Sequence, residues 1–157
     1  MNKAEQVVAQ LRDVFHKMAW LNEMKMKASL KSYQSSEVHC IEYIGKNKDA
    51  NVTKLAESFY MTRGAISKLT KKLIGKGLVE NYQKPDNKKE IYFNLTERGQ
   101  QVFDTHEALH KEFGARDRAV FEQITEKQFD DMLGFMEKYN AHLDREIQKM
   151  SEENKAR

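Results

Sequence analysis

Two histidines stand four residues apart in the run His106-Glu107-Ala108-Leu109-His110, within a segment predicted to be helical. Residues at this spacing lie on one face of a helix, so both imidazoles can bind one metal ion. In a zinc peptidase, Glu107 would act as the general base on a zinc-bound water. The motif is short and chance matches to it are common, and no surrounding sequence suggests a substrate cleft with a free zinc position. We therefore expect that this chain is not an enzyme.

A second group of side chains has the chemistry to bind nucleic acid. It consists of hydroxyls, ammonium groups and one guanidinium along one face of a predicted helix: Thr62, Arg63, Ser67, Lys68, Lys71 and Lys72. Such groups bond phosphate oxygens, and arginine can pair with a guanine edge in the major groove. The alternative is an ordinary helix with a solvated basic face, and the neighbouring sequence favours the DNA interpretation.

The stretch that carries these groups, Asn51–Leu78, predicts two helices joined by a tight turn at Tyr60-Met61. Thr62 suits the N-cap of the second helix, because its hydroxyl can accept a backbone N–H. The inward face of that helix repeats apolar residues at helical spacing, namely Ile66, Leu69 and Leu73. Gly77 suits the end of the helix, where a left-handed residue is favoured. The pattern indicates a helix-turn-helix with a recognition helix.

A β-hairpin is predicted directly after this unit. Its strands are Leu78–Tyr82 and Glu90–Leu95, and the seven-residue segment between them holds the chain's one proline. That segment also supplies three further candidate DNA contacts, Lys84, Lys88 and Lys89. A hairpin with a basic tip after a recognition helix can reach the neighbouring minor groove. The hairpin is therefore interpreted as a wing.

The run from Ser35 to Gly99 resembles the MarR family of winged-helix transcription regulators. The matching pieces are Leu55–Val79 and Leu95–Gly99. The resemblance implies a homodimer whose two recognition helices read a pseudo-palindromic operator in double-stranded DNA, about one helical turn apart. The family's wing usually carries an Asp and an Arg where this sequence has Asn87 and Lys89. Lysine lacks the planar fork of arginine, so we expect looser phosphate contact by the wing.

The zinc-responsive members of that family use three histidines and one glutamate as metal ligands. By resemblance, His39, His106 and His110 take the histidine positions, and Glu23 is the nearest candidate for the acid. Three imidazoles and one carboxylate form a closed tetrahedral site, which suits sensing rather than catalysis. The alternative is that these histidines are exposed or make hydrogen bonds near the dimer interface. No cofactor is required, and zinc is the candidate regulatory ligand.

Two other signals remain open from the sequence. A small organic ligand could bind near Trp20, Met24 and Met26, although core or dimer packing is the more common role for such side chains. Cys40 could sense an oxidant, but a cysteine among apolar residues is more often a small buried hydrophobe.

Composition narrows the class of protein. The 157 residues are enough for one domain with a real core, and no apolar stretch approaches the length of a membrane span. A single cysteine and the absence of a signal-peptide core lead us to expect a cytoplasmic protein. Val52–Lys89 holds nine Lys/Arg against three Asp/Glu, whereas the remainder holds 18 against 21. Positive charge is thus concentrated on the predicted DNA-binding unit.

Long helices flank that unit. A first helix over Lys3–Ser32 and a last helix after the capping box at Thr125 both carry apolar seams at helical spacing. A small winged-helix core cannot cover both seams, so we expect a symmetric dimer. Between them, a second helix is predicted at Glu37–Lys46, capped by Ser35-Ser36.

The expected fold is mainly α with a small β-hairpin, a single domain over 1–157. Residues 35–99 form its winged helix-turn-helix, and 1–34 and 100–157 supply dimerisation helices. The expected function is a DNA-binding transcriptional regulator, a repressor, whose operator affinity a ligand modulates. The operator, the regulated genes and the ligand cannot be read from the sequence.

Overall fold

The computed structural model describes residues 1–157 and contains six α-helices and one two-stranded antiparallel sheet. In chain order these are α1 (Lys3–Ser29), α2 (Ser35–Lys46), α3 (Val52–Phe59), α4 (Arg63–Gly75), β1 (Val79–Lys84), β2 (Asn87–Leu95), α5 (Glu97–Phe121) and α6 (Glu126–Lys155). This confirms the predicted fold class, a helical protein with one hairpin. None of the helices combines the length and apolar composition that crossing a membrane requires.

The chain divides into two compact units, Met1–Phe113 and Gly114–Arg157. The first unit holds the hydrophobic core, which α2, α3, α4, the hairpin and α5 build together. Its fully buried apolar side chains include Ile41, Leu55, Ile66, Leu73 and Leu78. The second unit contains the end of α5 and all of α6, and α6 has no buried residue. The assignment of one domain to the whole chain stays a prediction.

Local signals fix both ends of α4, as the sequence predicts. Thr62 is the N-cap, and its hydroxyl accepts the N–H of Ala65 at 3.1 Å. Tyr60 lies in the left-handed region at φ 53° and makes the tight turn before it. Gly77, at φ 73°, donates its N–H to the Ile74 carbonyl at 2.9 Å, the 5→2 bond of a Schellman motif.

The start of α5 is packed against the segment that ends α4. The Thr96 hydroxyl donates to the Gly77 carbonyl at 2.7 Å and accepts the N–H of Gly99 at 3.1 Å. A Cβ at Gly99 would collide with the Leu78 carbonyl oxygen. Only glycine therefore allows the two backbones to approach this closely.

Two predicted boundaries near the N-terminus were wrong. The first helix ends at Ser29 and not at Ser32, because the chain turns at Leu30 to bury that side chain in the core. The second helix begins at Ser35, so the two serines predicted as its cap are its first two residues. Its N-cap is Gln34, whose backbone N–H donates to the Glu37 carboxylate at 3.1 Å in a capping box.

Candidate DNA-binding surface and histidine cluster

The outer face of α4 presents cations that have no partner within the chain. Arg63, Lys68 and Lys71 are exposed, and none of them takes part in an intramolecular ion pair or side-chain hydrogen bond. Thr62 is exposed beside them, and Ser67 is half-buried. These five predicted contacts thus lie on one helix with three full charges free to bond phosphates or bases.

Lys72, the sixth candidate on α4, is exposed but already has an ion-pair partner within the chain. Its Nζ lies 3.7 Å from Glu37, while Lys76 donates to the same carboxylate at 2.7 Å. Burial raises the pKa of Glu37, but the hydrogen bonds from Lys76 and from the Gln34 N–H outweigh it and leave the pKa lowered. The fully buried Glu37 thereby ties the start of α2 to the last turns of α4. Sequence reasoning missed this glutamate, although its place at the third residue of a capping box was readable.

The hairpin has longer strands and a tighter turn than predicted. A two-residue turn, Pro85-Asp86, replaces the expected seven-residue loop. Proline presets the φ angle for the second position of such a turn, and the Asn87 carboxamide oxygen accepts the N–H groups of Lys89 and Glu90 at 3.2 and 3.3 Å. The wing lysines therefore lie on strands and not on a loose loop.

The three wing lysines have different surroundings. Lys88 and Lys89 are exposed and form no ion pair. Lys84 lies 2.8 Å from Asp49 and 4.7 Å from the centroid of the Tyr92 ring. The structure thus separates two free cations from one that is already paired.

A cluster of possible metal ligands lies between α2 and α5, in the first unit. The Nε2 atoms of His106 and His110 are 3.2 Å apart, and Glu42 Oε2 is 3.5 Å from Nδ1 of His106. One ligand atom from each of these three residues lies within 4.8 Å of the other two. Zn–N bonds of about 2.0–2.1 Å at a tetrahedral angle place two nitrogens roughly 3.3 Å apart, so the histidine pair fits that ion.

His106 has the environment of a neutral ligand. Its side chain is 1% exposed, and Nδ1 has no hydrogen-bond partner. Burial lowers the pKa of His106, opposed by the charge of Glu42, so the uncharged ring that metals require is favoured. Its Nδ1 lies 3.5 Å from Glu42 Oε2 without forming a hydrogen bond.

The other two predicted ligands, His39 and Glu23, are not part of this cluster. The His39 ring centroid is 6.4 Å from that of His106, while Glu23 is exposed and pairs with Lys27 at 3.0 Å. Glu23 and His39 both line one small pocket next to the α1–α2 corner. The four-ligand set therefore stays a prediction. Glu42 was missed, although it lies three residues after His39 on the same helix.

Glu107, the base that a peptidase would need, is held by a lysine. Lys46 on α2 lies 2.9 Å from Glu42 and 3.1 Å from Glu107 on α5. The lysine bridges two carboxylates and joins the two helices.

Two features bear on whether an oxidant or a small organic ligand could be the regulatory signal. Cys40 is fully buried, and burial raises the pKa of its thiol to about 12. The reactive thiolate is therefore disfavoured. A groove of about 580 Å³ runs along α1 beside His16, Trp20, Leu21 and Glu23, with the Trp20 side chain 63% exposed.

Residues 34–91 match the MarR family. The chain is similar to the HTH-type transcriptional regulator PchR of Bacillus subtilis, with 28% identity over 85% of this chain and 88% of the relative. Its fold resembles that of FabT from Streptococcus pneumoniae, solved in complex with DNA (TM-score 0.78, 19% identity, 91% and 99% of the two chains covered). It also resembles MarR of Staphylococcus aureus, solved with salicylate and kanamycin (TM-score 0.71, 14% identity, 91% and 93% covered).

Proposed function

We propose that this chain, whose residues 34–91 belong to the MarR family, is a dimeric transcriptional regulator that binds double-stranded DNA sequence-specifically and represses its targets. The observation that carries the proposal is the row of unpartnered cations on α4, followed by two more on the hairpin. The relationship to PchR, a transcriptional regulator, and the FabT fold in complex with DNA support it. The relatives are regulators and not enzymes, in keeping with the pairing of Glu107 to Lys46.

The terminal helices supply the dimer in this proposal. α1 has no buried residue, and its apolar side chains Val14, Met18 and Leu21 are 43–50% exposed. α6 likewise exposes Met136, Leu143 and Ile147. A second copy of the chain would remove these seams from water and place two α4 helices on one pseudo-palindromic operator.

Selection of genomic DNA fragments by the purified protein, with and without added zinc, tests this function. We expect enrichment of one pseudo-palindrome with half-sites about 10 base pairs apart. A variant with Arg63→Ala and Lys68→Ala serves as the control and should lose the enrichment. Equal recovery of all fragments by both proteins would contradict sequence-specific binding.

Zinc is the regulatory ligand that the geometry favours. His106 and His110 lie on α5, and His39 lies on α2, so the histidine ligands come from two helices of the first unit. Bound zinc would supply a cross-link between them. Because Glu37 ties α2 to α4, fixing α2 would also fix the position of α4. Zinc would then favour one arrangement of the recognition helix over others, and a ligand can shift a conformational equilibrium only through such a preference. By family resemblance, we expect tighter DNA binding with zinc.

Calorimetry on the purified, chelator-treated protein tests the zinc site. We expect about one zinc per chain. His106→Ala with His110→Ala should abolish both zinc binding and the zinc effect on DNA affinity, while His142→Ala should change neither. Ligand histidines must be deprotonated, so the effect should fade as pH falls toward about 6. Absence of zinc binding by the wild type, or an unchanged response in the double variant, would disprove zinc sensing and leave DNA binding standing.

A small organic ligand is the second candidate signal, on the evidence of the groove beside Trp20. An aromatic carboxylate such as salicylate, found with the structurally similar S. aureus MarR, is a suitable probe. We expect binding that Trp20→Ala removes, measured by calorimetry without zinc. An oxidant is disfavoured, because burial keeps the Cys40 thiol protonated.

A further inference from the structure

Asp49 occupies the loop between α2 and α3 in an unusual backbone conformation. Its φ is 59°, a left-handed value that aspartate tolerates better than most residues. Its carboxylate contacts the hairpin. Oδ1 accepts a hydrogen bond from the Tyr82 hydroxyl at 2.6 Å, and Oδ2 accepts one from Lys84 Nζ at 2.8 Å. Lys54 donates to the Asp49 carbonyl oxygen at 3.1 Å and holds the loop from the other side.

Lys84 is held by more than one group. Besides the Asp49 carboxylate, the face of the Tyr92 ring lies 4.7 Å from its ammonium, and Tyr92 packs on Tyr82 with ring centroids 5.4 Å apart. The hydrogen bond from Lys84, followed by that from Tyr82, lowers the pKa of Asp49 and keeps the carboxylate charged. To reach a phosphate, Lys84 would have to exchange these partners, whereas Lys88 would exchange only water.

The hairpin does not depend on Asp49 alone for its position. The backbone N–H of Phe93 donates to the Ala50 carbonyl at 2.9 Å, and the Asn51 carboxamide donates to Glu90 at 2.9 Å. These contacts from the next two residues of the loop would remain in an Asp49 variant. The carboxylate can therefore be neutralised without releasing the wing.

We propose that Asp49 withholds Lys84 from DNA phosphates, so that the wing contacts DNA through Lys88 and Lys89, and that this lowers affinity for DNA of any sequence. The inference rests on the proposed DNA binding. A cation that neutralises a phosphate releases counterions, and each such contact steepens the dependence of log K on log salt concentration by about 0.9. A lysine already neutralised by a carboxylate adds no such contact. Because a phosphate contact carries no base information, the loss of affinity should be the same for the operator and for arbitrary DNA.

The salt dependence of binding to a random-sequence duplex tests this with matched single-lysine variants. Lys88→Gln and Lys89→Gln should each flatten the slope by about 0.9 per contact removed, while Lys84→Gln should leave it as in the wild type. Asp49→Asn frees the lysine and should bind the duplex more tightly, with a slope steeper by about 0.9. Adding Lys84→Gln to Asp49→Asn should restore the wild-type slope.

The outcomes separate this inference from the proposed function. A wild-type protein that binds no duplex contradicts the proposed function itself. If the wild type binds and Lys84→Gln flattens the slope as Lys88→Gln does, Asp49 does not withhold Lys84. An unchanged or flatter slope in a folded Asp49→Asn variant would likewise show that Asp49 does not withhold Lys84. Circular dichroism verifies folding, and if Asp49→Asn does not fold, the comparison of Lys84→Gln with Lys88→Gln still decides.

Discussion

Arg63 is the first residue of α4 and the only guanidinium on its outer face. If it pairs with a guanine edge, Arg63→Ala should weaken operator binding by about 1–3 kcal/mol and relax the sequence preference at one position. Binding to operators varied at each base pair measures both effects. Arg118→Ala, which removes an exposed arginine from the second unit, is the matched control.

Arg63→Lys separates charge from shape at the same position. It keeps the cation but loses the planar fork, so affinity for random DNA should persist while discrimination at that base pair falls. Full retention of discrimination by the lysine variant would mean that Arg63 contacts phosphate and not a base.

Glu37 is a buried carboxylate that joins the start of α2 to the last turn and C-cap of α4. Glu37→Ala removes the acceptor for the Gln34 N–H and the partner of Lys76, and should lower the free energy of unfolding by about 1–3 kcal/mol. Urea denaturation measures the loss. Glu57→Ala, which removes an exposed carboxylate from α3 that forms no ion pair, should change stability little. Equal losses in both variants would contradict a structural role for Glu37.

The same carboxylate makes stability sensitive to acid. Because the pKa of Glu37 is lowered in the folded protein, its contribution is fully present above the ordinary value of 4.5 and is lost as pH falls through the folded value. The free energy of unfolding, measured between pH 6 and 3 in the presence of a chelator, should therefore fall less with decreasing pH for Glu37→Gln than for the wild type. Parallel curves for the two proteins would show that another group carries the acid sensitivity.

At the scale of elements, the backbone at Gly99 near the start of α5 lies against the Leu78 backbone, three residues after α4 ends. Gly99→Ala places a Cβ against the Leu78 carbonyl, and the resulting overpacking should destabilise the fold by about 1–3 kcal/mol or more. Gly64→Ala is the matched control, because nothing lies within 4 Å of the added carbon. Thermal unfolding without DNA compares the two. A Gly99→Ala protein as stable as Gly64→Ala would show that α5 can shift away from α4.

At the scale of the whole molecule, the exposed seam of α6 indicates assembly. Leu143 is 41% exposed in the single chain, and Leu143→Glu would bury an unpaired carboxylate in a dimer. Such burial costs several kcal/mol, so the variant should be monomeric by light scattering. Lys138→Glu, at an exposed polar position on the same helix, should leave the dimer intact. A dimeric Leu143→Glu protein would show that α6 does not form the interface.

The sequence by itself determined the features that depend on residues a few positions apart. The N-cap at Thr62, the left-handed Gly77 and the capping box at Thr125 are all present as predicted. Hydrophobic periodicity and capping act within one helical turn, so their signal is contained in the local sequence. The basic face of α4 follows from the same periodicity.

Only the tertiary structure decided which charged groups are free and which are paired. Lys84 meets Asp49 across 35 residues, Lys76 meets Glu37 across 39, and the predicted wing loop closed into a tight turn that moved its lysines onto strands. Glu42 reaches His106 in the same way, from another helix. These pairs form because core packing brings distant elements together. No local sequence pattern encodes which distant residues will meet. Composition therefore shows where cations are concentrated but not which of them remain available to DNA.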